Sequence, residues 1–264
     1  MKHSAFSLLT LAACCATSLT AGVIGVLHVG TDITGAYGVT NIESYLSADP
    51  RFSSVVDLNV DTNGVPSASQ LASYESLLVV TDANDGTLTG GGLGTGIGNA
   101  LETYVNGGGR VVVGAFGGDA NVGIDGGILS LAPYAPVTGA NAGNGTAGAL
   151  DFSTADLSNF VLAGVTSFTA SYDSNVTLTP AGIALAYYTS GDLAVATNSA
   201  YSVMLINADP NVAADLANGS DFGLVFANAL AGPSPTPEPG TVGLVGIALI
   251  GLGALRRRSG PPRP

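Results

Sequence analysis

The feature that most constrains the fold is a series of short, largely apolar runs separated by segments of helical periodicity. The first run, Val23 to Val29, has His28 as its one polar side chain. A strand that is apolar along nearly its whole length is typical of a parallel sheet, which is covered on both faces. Further strands are predicted at Val55–Val60, Leu77–Thr81, Arg110–Ala115, Ala184–Tyr188, Leu193–Ala196 and Val203–Ile206. We therefore predict an α/β fold of the flavodoxin-like kind, with a mostly parallel sheet flanked by helices.

Capping residues and glycine stops mark the helices between these strands. Thr40 and Glu43 have the spacing of a capping box, and so do Ser67 and Gln70. The last helix is predicted over Ser220–Ala231. A further helix ends at three consecutive glycines, residues 107–109, and carries its apolar face on Ile97, Leu101, Tyr104 and Val105.

Two glycine-rich segments are harder to interpret. Residues 90–98 precede a helix but match neither the dinucleotide nor the P-loop spacing, and no Lys follows, so we predict a flexible loop there. Residues 117–171 are rich in Gly, Ala and Asn, and no secondary structure can be predicted for them.

The charge balance of the central part excludes some partners. Between residues 22 and 236, two arginines, Arg51 and Arg110, stand against 18 carboxylates, which gives a formal charge of −16. Nucleic acids and anionic lipid headgroups are bound through Lys and Arg. We therefore predict no binding to nucleic acid. The acidity suits a soluble extracellular protein.

Residues 1–21 have the anatomy of a cleavable signal peptide. Lys2 and His3 form a polar start, and an apolar run extends from Ala5 to Leu19. Two alternatives stay open, namely a short membrane-spanning helix and lipid attachment at Cys14 through a lipobox-like Leu11–Cys14. Cleavage near residue 21 removes both cysteines, which excludes disulfides, thiolate catalysis and Cys-ligated zinc from the mature protein.

The carboxyl end has three parts in a definite order, a Pro-rich linker, an apolar run and a basic cluster. The linker contains Pro237, Glu238 and Pro239, the apolar run is Thr241–Leu255, and the cluster is Arg256, Arg257 and Arg258. As a helix the apolar run would be about 22 Å long, short of a hydrocarbon core of about 30 Å. The arginines orient it with the carboxyl end in the cytoplasm. We predict a temporary stop in the membrane, with an ordinary C-terminal anchor as the alternative.

This arrangement resembles the PEP-CTERM sorting signal, departing from it only by the six residues after Arg258. The resemblance implies that exosortase, a membrane-embedded protease-transpeptidase, cleaves near the motif while the chain is transiently anchored in the inner membrane. It also implies a Gram-negative host, a final place at the cell surface or in the extracellular matrix, and extracellular polysaccharide as a further partner. The predicted layout is a signal peptide at 1–21, an α/β extracellular domain at 22–232, the linker with the motif at 233–240, and a sorting helix with a basic tail at 241–264.

The central domain carries a second, fainter resemblance. A strand ending in Thr81-Asp82 is followed by a helix ending at residues 107–109 and by the strand from Arg110 to Gly114. This succession is similar to the class I glutamine-amidotransferase-like fold, including its ThuA-like group. In amidotransferases, a nucleophilic Cys lies on the tight turn after the fourth strand. Here the turn consists of residues 114–117, Gly-Ala-Phe-Gly, so the family's chemistry carries over to no residue and we predict no catalytic residue.

Three other patterns suggest chemistry. His28 is the one base available to a hydrolase triad after leader removal, but no Gly-x-Ser-x-Gly turn supplies a nucleophile, which favours a structural His. Asp57, Asn59, Asp61 and Asn63 alternate along the chain before Gly64, and residues 82–86 form a second acidic stretch. Calcium prefers such oxygen ligands, but neither stretch fits an EF-hand, and the alternation is also that of a half-buried strand. No metal or cofactor is predicted.

Three functions follow from these observations. The first is a non-catalytic surface or matrix protein, favoured by the sorting tail and by the missing nucleophile and base. The second is a binding module for a small ligand or glycan, which would use loops at the carboxyl ends of the strands. The third is a hydrolase that uses carboxylates alone, as glycosidases do.

Overall fold

The fold is built on a sheet whose strands come from both halves of the chain. The computed structural model describes residues 22–81, 93–118, 124 and 134–233. Within them the strands are β1 Gly22–Val29, β2 Phe52–Asn59, β3 Ser76–Thr81, β4 Arg110–Val113, β5 Val137–Gly145, β6 Gly148–Ala149, β7 Thr169–Ala170, β8 Asp173–Leu178, β9 Gly182–Tyr187, β10 Leu193–Asn198 and β11 Val203–Ile206. The helices are α1 Thr40–Ser47, α2 Val60–Asn63, α3 Ala68–Leu71, α4 Leu93–Asn106, α5 Ala213–Ala217 and α6 Phe222–Ala231, with a 3₁₀ turn at Phe160–Leu162.

Seven strands form the main sheet in the order β2-β1-β3-β4-β11-β10-β9. The pairs from β2 through β11 are all parallel, whereas β10 is antiparallel to both β11 and β9. Every residue of β3 and of β11 is buried, as a strand covered on both faces requires. The predicted mostly parallel sheet flanked by helices is confirmed.

The two faces of the sheet carry separate hydrophobic cores. Ile24 and Val26 of β1 point to the face covered by α1 and α6, where Phe222 and Phe226 are fully buried. Leu27 of β1 points to the opposite face, which α3 and α4 cover. Since successive side chains of a strand alternate between faces, each apolar run supplies both cores.

The middle of the chain, for which no secondary structure was predicted, forms two small antiparallel pairs, β5 with β8 and β6 with β7. The segment adds Phe168 to the core on the α6 face, where its ring stacks on Phe222 at 5.4 Å between centroids. The sequence of β5, VTGANAGNG, has neither a continuous apolar run nor a clear alternation. Its pairing therefore depends on β8 and could not be predicted from local pattern.

Of the two predicted capping boxes, one is confirmed and the other is wrong. The Ser67 hydroxyl accepts from the Gln70 N–H, and the Gln70 side chain accepts from the Ser67 N–H. In α1, by contrast, the N-cap is Val39 and no side chain caps the helix. The backbone fixes this helix start instead, because the Val39 N–H donates to the Asp32 carbonyl at 2.8 Å.

The predicted flexible loop over residues 90–98 is wrong from residue 93 onward. Helix α4 begins at Leu93 and contains Gly94, Gly96 and Gly98, while residues 90–92 lie outside the described residues. Gly94 and Gly98 are buried, so tertiary packing outweighs their low helix propensity here.

Several sequence predictions fall outside the described residues. These are the signal peptide at 1–21, the acidic stretch at 82–86, the sorting motif and the apolar helix of the tail. Among the helices that are described, none has the length and apolar character needed to cross a membrane.

Candidate functional site

The carboxyl ends of β1, β3, β4 and β11 lie at one edge of the sheet, which we call the carboxyl edge. The strand order reverses direction between β1 and β3, because β2 lies on one side of β1 and β3 on the other. Open α/β sheets bind ligands outside such a reversal. The described segments at this edge include residues 30–39 after β1, 60–67 after β2, 114–118 after β4 and 207–212 after β11.

The turn after β4 places Phe116 in a left-handed backbone conformation, with φ of 71°. The Phe116 N–H donates to the Ser174 hydroxyl at 2.6 Å, and the ring is 6% exposed. Glycines flank the turn at positions where a side chain would not fit, since a Cβ on Gly117 would overlap Val113. The turn thus has the tight geometry that the family resemblance implies, but it carries a buried phenyl ring.

His28 is fully buried at the end of β1, with both ring nitrogens bound. Its Nε2 lies 2.7 Å from Asp57 Oδ1, and its Nδ1 lies 2.8 Å from the Thr31 hydroxyl. In a neutral ring with the proton on Nε2, Asp57 accepts and Thr31 donates. The three residues form a chain of hydroxyl, imidazole and carboxylate that ties β1 to β2 and to the loop after β1.

Glu43 of α1 was predicted as a capping residue, but it lies near Asp57. Burial, with a smaller contribution from the charge of Asp57, raises the pKa of Glu43 to about 7. Its Oε1 atom is buried and has no hydrogen-bond partner. A carboxyl whose pKa is raised towards neutrality beside a second carboxyl is the pattern of an acid–base pair. Asp57, however, already accepts a hydrogen bond from His28 at Oδ1, which limits its use as the base of a Glu43–Asp57 pair.

The first acidic stretch, for which calcium was considered and not predicted, is engaged in contacts within the protein. Asn59 caps α2 by accepting from the Thr62 N–H at 2.9 Å. Asp61 accepts from the Gly30 N–H at 2.8 Å, and Asp57 binds His28. In the part of the chain that the structure describes, no group of three or more His, Cys, Asp or Glu residues is arranged to hold a metal ion.

Two tyrosines, Tyr37 and Tyr172, form what we call the tyrosine platform at the carboxyl edge. Tyr37 is 49% exposed and meets Tyr172 edge to face, with 6.0 Å between ring centroids and 3.3 Å between hydroxyl oxygens. Tyr172 packs against Ala115 and Phe116. The hydrogen bond with Tyr37 is the main cause of a raised Tyr172 pKa, to which the charges of Asp209 and Asp215 add.

A buried polar network lies beneath this edge. The Asn207 amide donates to the carbonyls of Ser174 and Leu193 and accepts from the Ser174 N–H, each at 2.8 Å. The Tyr188 hydroxyl donates to the Asn207 carbonyl at 2.6 Å. Next to it, Asp173 is 3% exposed, and burial, aided by the charge of Asp192, raises its pKa to about 6. Sequence analysis missed this network, although an Asn directly after the buried run 203–206 is a signal for it.

Comparison with known proteins identifies the tail. The model of a family described as the PEP-CTERM protein-sorting motif matches residues 235–258. The chain carries a PEP-CTERM sorting motif. The match includes Pro237, Glu238 and Pro239 and extends to Arg258, as predicted. The PEP-CTERM motif marks the protein as exported, transiently anchored in the membrane and processed by exosortase.

The described domain has relatives among solved structures. A cytoplasmic protein from Salmonella typhimurium matches with a TM-score of 0.53 and 11% identity, over 79% of this chain and 97% of that one. A protein from Bacteroides uniformis described as ThuA-like matches with a TM-score of 0.51 and 14% identity, over 78% and 89% of the two chains. This likeness shows the fold alone, and it confirms the predicted ThuA-like resemblance. In sequence, no curated protein matches the chain.

Proposed function

We propose that the central domain of this PEP-CTERM protein is a non-catalytic surface or matrix protein, which exosortase separates from its tail and which stays with extracellular polysaccharide outside a Gram-negative cell. Export and processing follow from the motif itself. For the domain, one observation carries the proposal, namely the buried Phe116 on the turn after β4.

With Phe116 on it, that turn has neither a nucleophilic side chain nor a free N–H at this residue. A phenyl ring has no lone pair with which to attack a substrate, and this ring is buried. The N–H of the same residue donates to Ser174, so it is not free to stabilise an oxyanion. A turn of this geometry therefore serves packing here.

The environment of His28 supports the same function. A general base must come within about 2.6–3.2 Å of the proton that it removes from a substrate. The His28 ring is fully enclosed, and Asp57 and Thr31 occupy both of its nitrogens. Its hydrogen bonds hold β1, β2 and the loop after β1 together.

The intact mass of the protein from its native host tests the sorting part of the proposal. We expect a mass that lacks the leader and the residues after about Pro239, in a fraction that washes off with extracellular polysaccharide. In a strain without exosortase the tail should be retained and the protein should stay with the membrane. A tail retained in both strains would establish a plain membrane anchor and remove the basis for a matrix function.

Turnover assays test the non-catalytic part. The processed protein should release no product from neutral or acidic polysaccharides, nitrophenyl glycosides or nitrophenyl esters. Glu43→Gln is the informative variant, because Glu43 and Asp57 are the carboxyls that most resemble an acid–base pair. Turnover that Glu43→Gln abolishes would replace this proposal with a carboxylate hydrolase.

A further inference from the structure

The tyrosine platform is held in place before any ligand arrives. Next to Tyr172, the N–H and hydroxyl of Ser171 both donate to Asp215, at 2.8 and 2.7 Å, and Asp215 is 4% exposed. Two residues further on, the Ser174 hydroxyl accepts from the Phe116 N–H. Tyr172 is therefore fixed on both sides along the chain and backed by the Phe116 ring.

The loop that carries Tyr37 is also fixed, although residues 32–37 are all exposed. The Ala213 N–H of α5 donates to the Ala36 carbonyl at 2.9 Å, directly before Tyr37. The Asn41 side chain donates to the Gly35 carbonyl at 2.8 Å and to the Asn211 carbonyl at 2.9 Å. An exposed aromatic ring on a braced loop loses little conformational entropy when it binds a ligand.

The composition of this surface matches a sugar ring. Tyr37 offers a ring face together with a hydroxyl, a combination of one apolar and one polar side. Pyranose rings also combine a face of C–H groups with an edge of hydroxyls. The Tyr172 hydroxyl, 3.3 Å from that of Tyr37, adds a second group beside the ring that can donate or accept a hydrogen bond.

Size and charge narrow the choice of ligand. Among the described residues four large apolar side chains are exposed, and two of them, Ile33 and Tyr37, lie in this loop. Two exposed apolar side chains are far fewer than the roughly 20–30 residues that each partner contributes to a stable protein interface. The formal charge of −16 between residues 22 and 236 opposes any anionic polymer.

We propose that the tyrosine platform binds a neutral polysaccharide, with one sugar ring stacked on Tyr37 and its hydroxyls bound at the Tyr172 edge. This inference rests on the non-catalytic function proposed above and specifies the partner that retains the domain outside the cell. Binding is expected to be weak per sugar ring and to depend on the aromatic ring more than on its hydroxyl.

Native affinity electrophoresis tests the proposal on the processed protein, whose acidity makes it migrate readily. Gels contain hydroxyethyl cellulose, laminarin, dextran or galactomannan as neutral polymers and alginate as the anionic one. We expect retardation in at least one neutral polymer and none in alginate. Tyr37→Ala should lower the apparent association constant at least tenfold, whereas Tyr37→Phe, which keeps the ring, should lower it only about threefold. The matched control is Leu157→Ala, which removes another exposed apolar side chain and should bind like wild type.

The remaining outcomes decide between this inference and the function on which it rests. No retardation in any neutral polymer, or equal retardation by Tyr37→Ala and wild type, overturns the platform and leaves the non-catalytic function standing. Retardation accompanied by release of reducing sugar keeps the platform and overturns the non-catalytic function. A dimer in sedimentation analysis that Tyr37→Ala dissociates would assign the platform to a second copy of the chain and overturn the inference.

Discussion

At the scale of single residues, Asp173 shows how a buried carboxyl depends on what surrounds it. Its Oδ1 atom is buried without a hydrogen-bond partner and lies against Gly145, where an added Cβ would overlap it. Burial and the charge of Asp192 both disfavour ionisation, so the pKa rises from 3.8 to about 6. The native state thus keeps a proton that the unfolded chain releases near pH 4.

This difference predicts a pH dependence of stability. Between pH 4 and pH 6 the folded chain binds more protons than the unfolded one, so the free energy of unfolding falls as pH rises. Asp173→Asn removes the effect, and we expect it to stabilise the protein at pH 8 by up to about 3 kcal/mol, with little change at pH 4. Urea unfolding at the two pH values measures this.

The control for Asp173→Asn is Asp32→Asn, which removes an exposed carboxylate. This variant should leave the unfolding free energy nearly unchanged at both pH values. An Asp173→Asn protein that is equally destabilised at pH 4 and pH 8 would contradict the raised pKa of Asp173.

At the scale of elements, Asn207 joins the small sheet of β5 and β8 to the main sheet. It directly follows β11, and its side chain satisfies the Ser174 N–H and carbonyl in β8 as well as the Leu193 carbonyl in β10. No apolar residue could pair these three backbone groups. A single amide therefore fixes the position of β8 relative to the parallel strands.

Asn207→Asp tests this connection, because it replaces the donating amide with an oxygen that faces two carbonyls. We expect a loss of about 2 kcal/mol or more in unfolding free energy relative to wild type. The loss should be larger at pH 8 than at pH 5, since a protonated carboxyl can still donate one hydrogen bond. Urea unfolding gives the loss, and hydrogen exchange should show faster exchange in residues 173–178.

Asn63→Asp serves as the control, since it adds the same charge at an exposed position. Its effect on the unfolding free energy should be within about 0.5 kcal/mol of zero. Unchanged exchange in β8 of the Asn207→Asp protein would mean that other contacts hold this strand.

The elements that sequence analysis predicted well are those whose signal is local. The apolar run Val203–Ile206 predicted the bounds of β11, because a strand buried on both faces is apolar at consecutive positions. The pair Ser67 and Gln70 predicted a capping box, because that cap depends on two residues three positions apart. Strand β5 and the helical glycines of α4 escaped prediction, because their conformation is set by partners elsewhere in the chain.

The candidate site was predictable only in its outline. The location at the carboxyl ends of the strands followed from the fold class, and His28 lies where it was expected. The tyrosine platform did not follow, since Tyr37 and Tyr172 are 135 positions apart and meet only in the folded chain. The spacing of Glu43 from Thr40 predicted a capping role for Glu43. The burial of Glu43 depends on tertiary packing, so that spacing could not predict it.

At the scale of the whole molecule, like charges dominate the surface. The formal charge over residues 22–236 is −16 with both arginines counted, and within the described residues Arg51 with Asp49 is the ion pair between side chains that carry permanent charge. Such self-repulsion destabilises the compact state, and salt screens it.

Salt should therefore stabilise the folded protein. We expect the Tm at pH 8 to rise by several degrees when NaCl is increased from about 10 mM to about 500 mM. At pH 4.5, where more carboxylates are protonated, the rise should be smaller. Thermal unfolding followed by circular dichroism measures both, and a Tm that falls with salt at pH 8 would show that the few ion pairs outweigh the repulsion.

The position of α6 has a consequence for the order of events during export. This helix is the last element of the domain, yet Phe222, Phe226 and Leu230 are fully buried against the sheet. A chain that crosses the membrane amino end first delivers α6 last, and the match to the sorting motif begins three residues after Gly232. Since the core on this face cannot close without α6, the domain cannot complete its fold before the residues next to the sorting motif are delivered. A chain cut before α6 has emerged would therefore lack the residues that close this core.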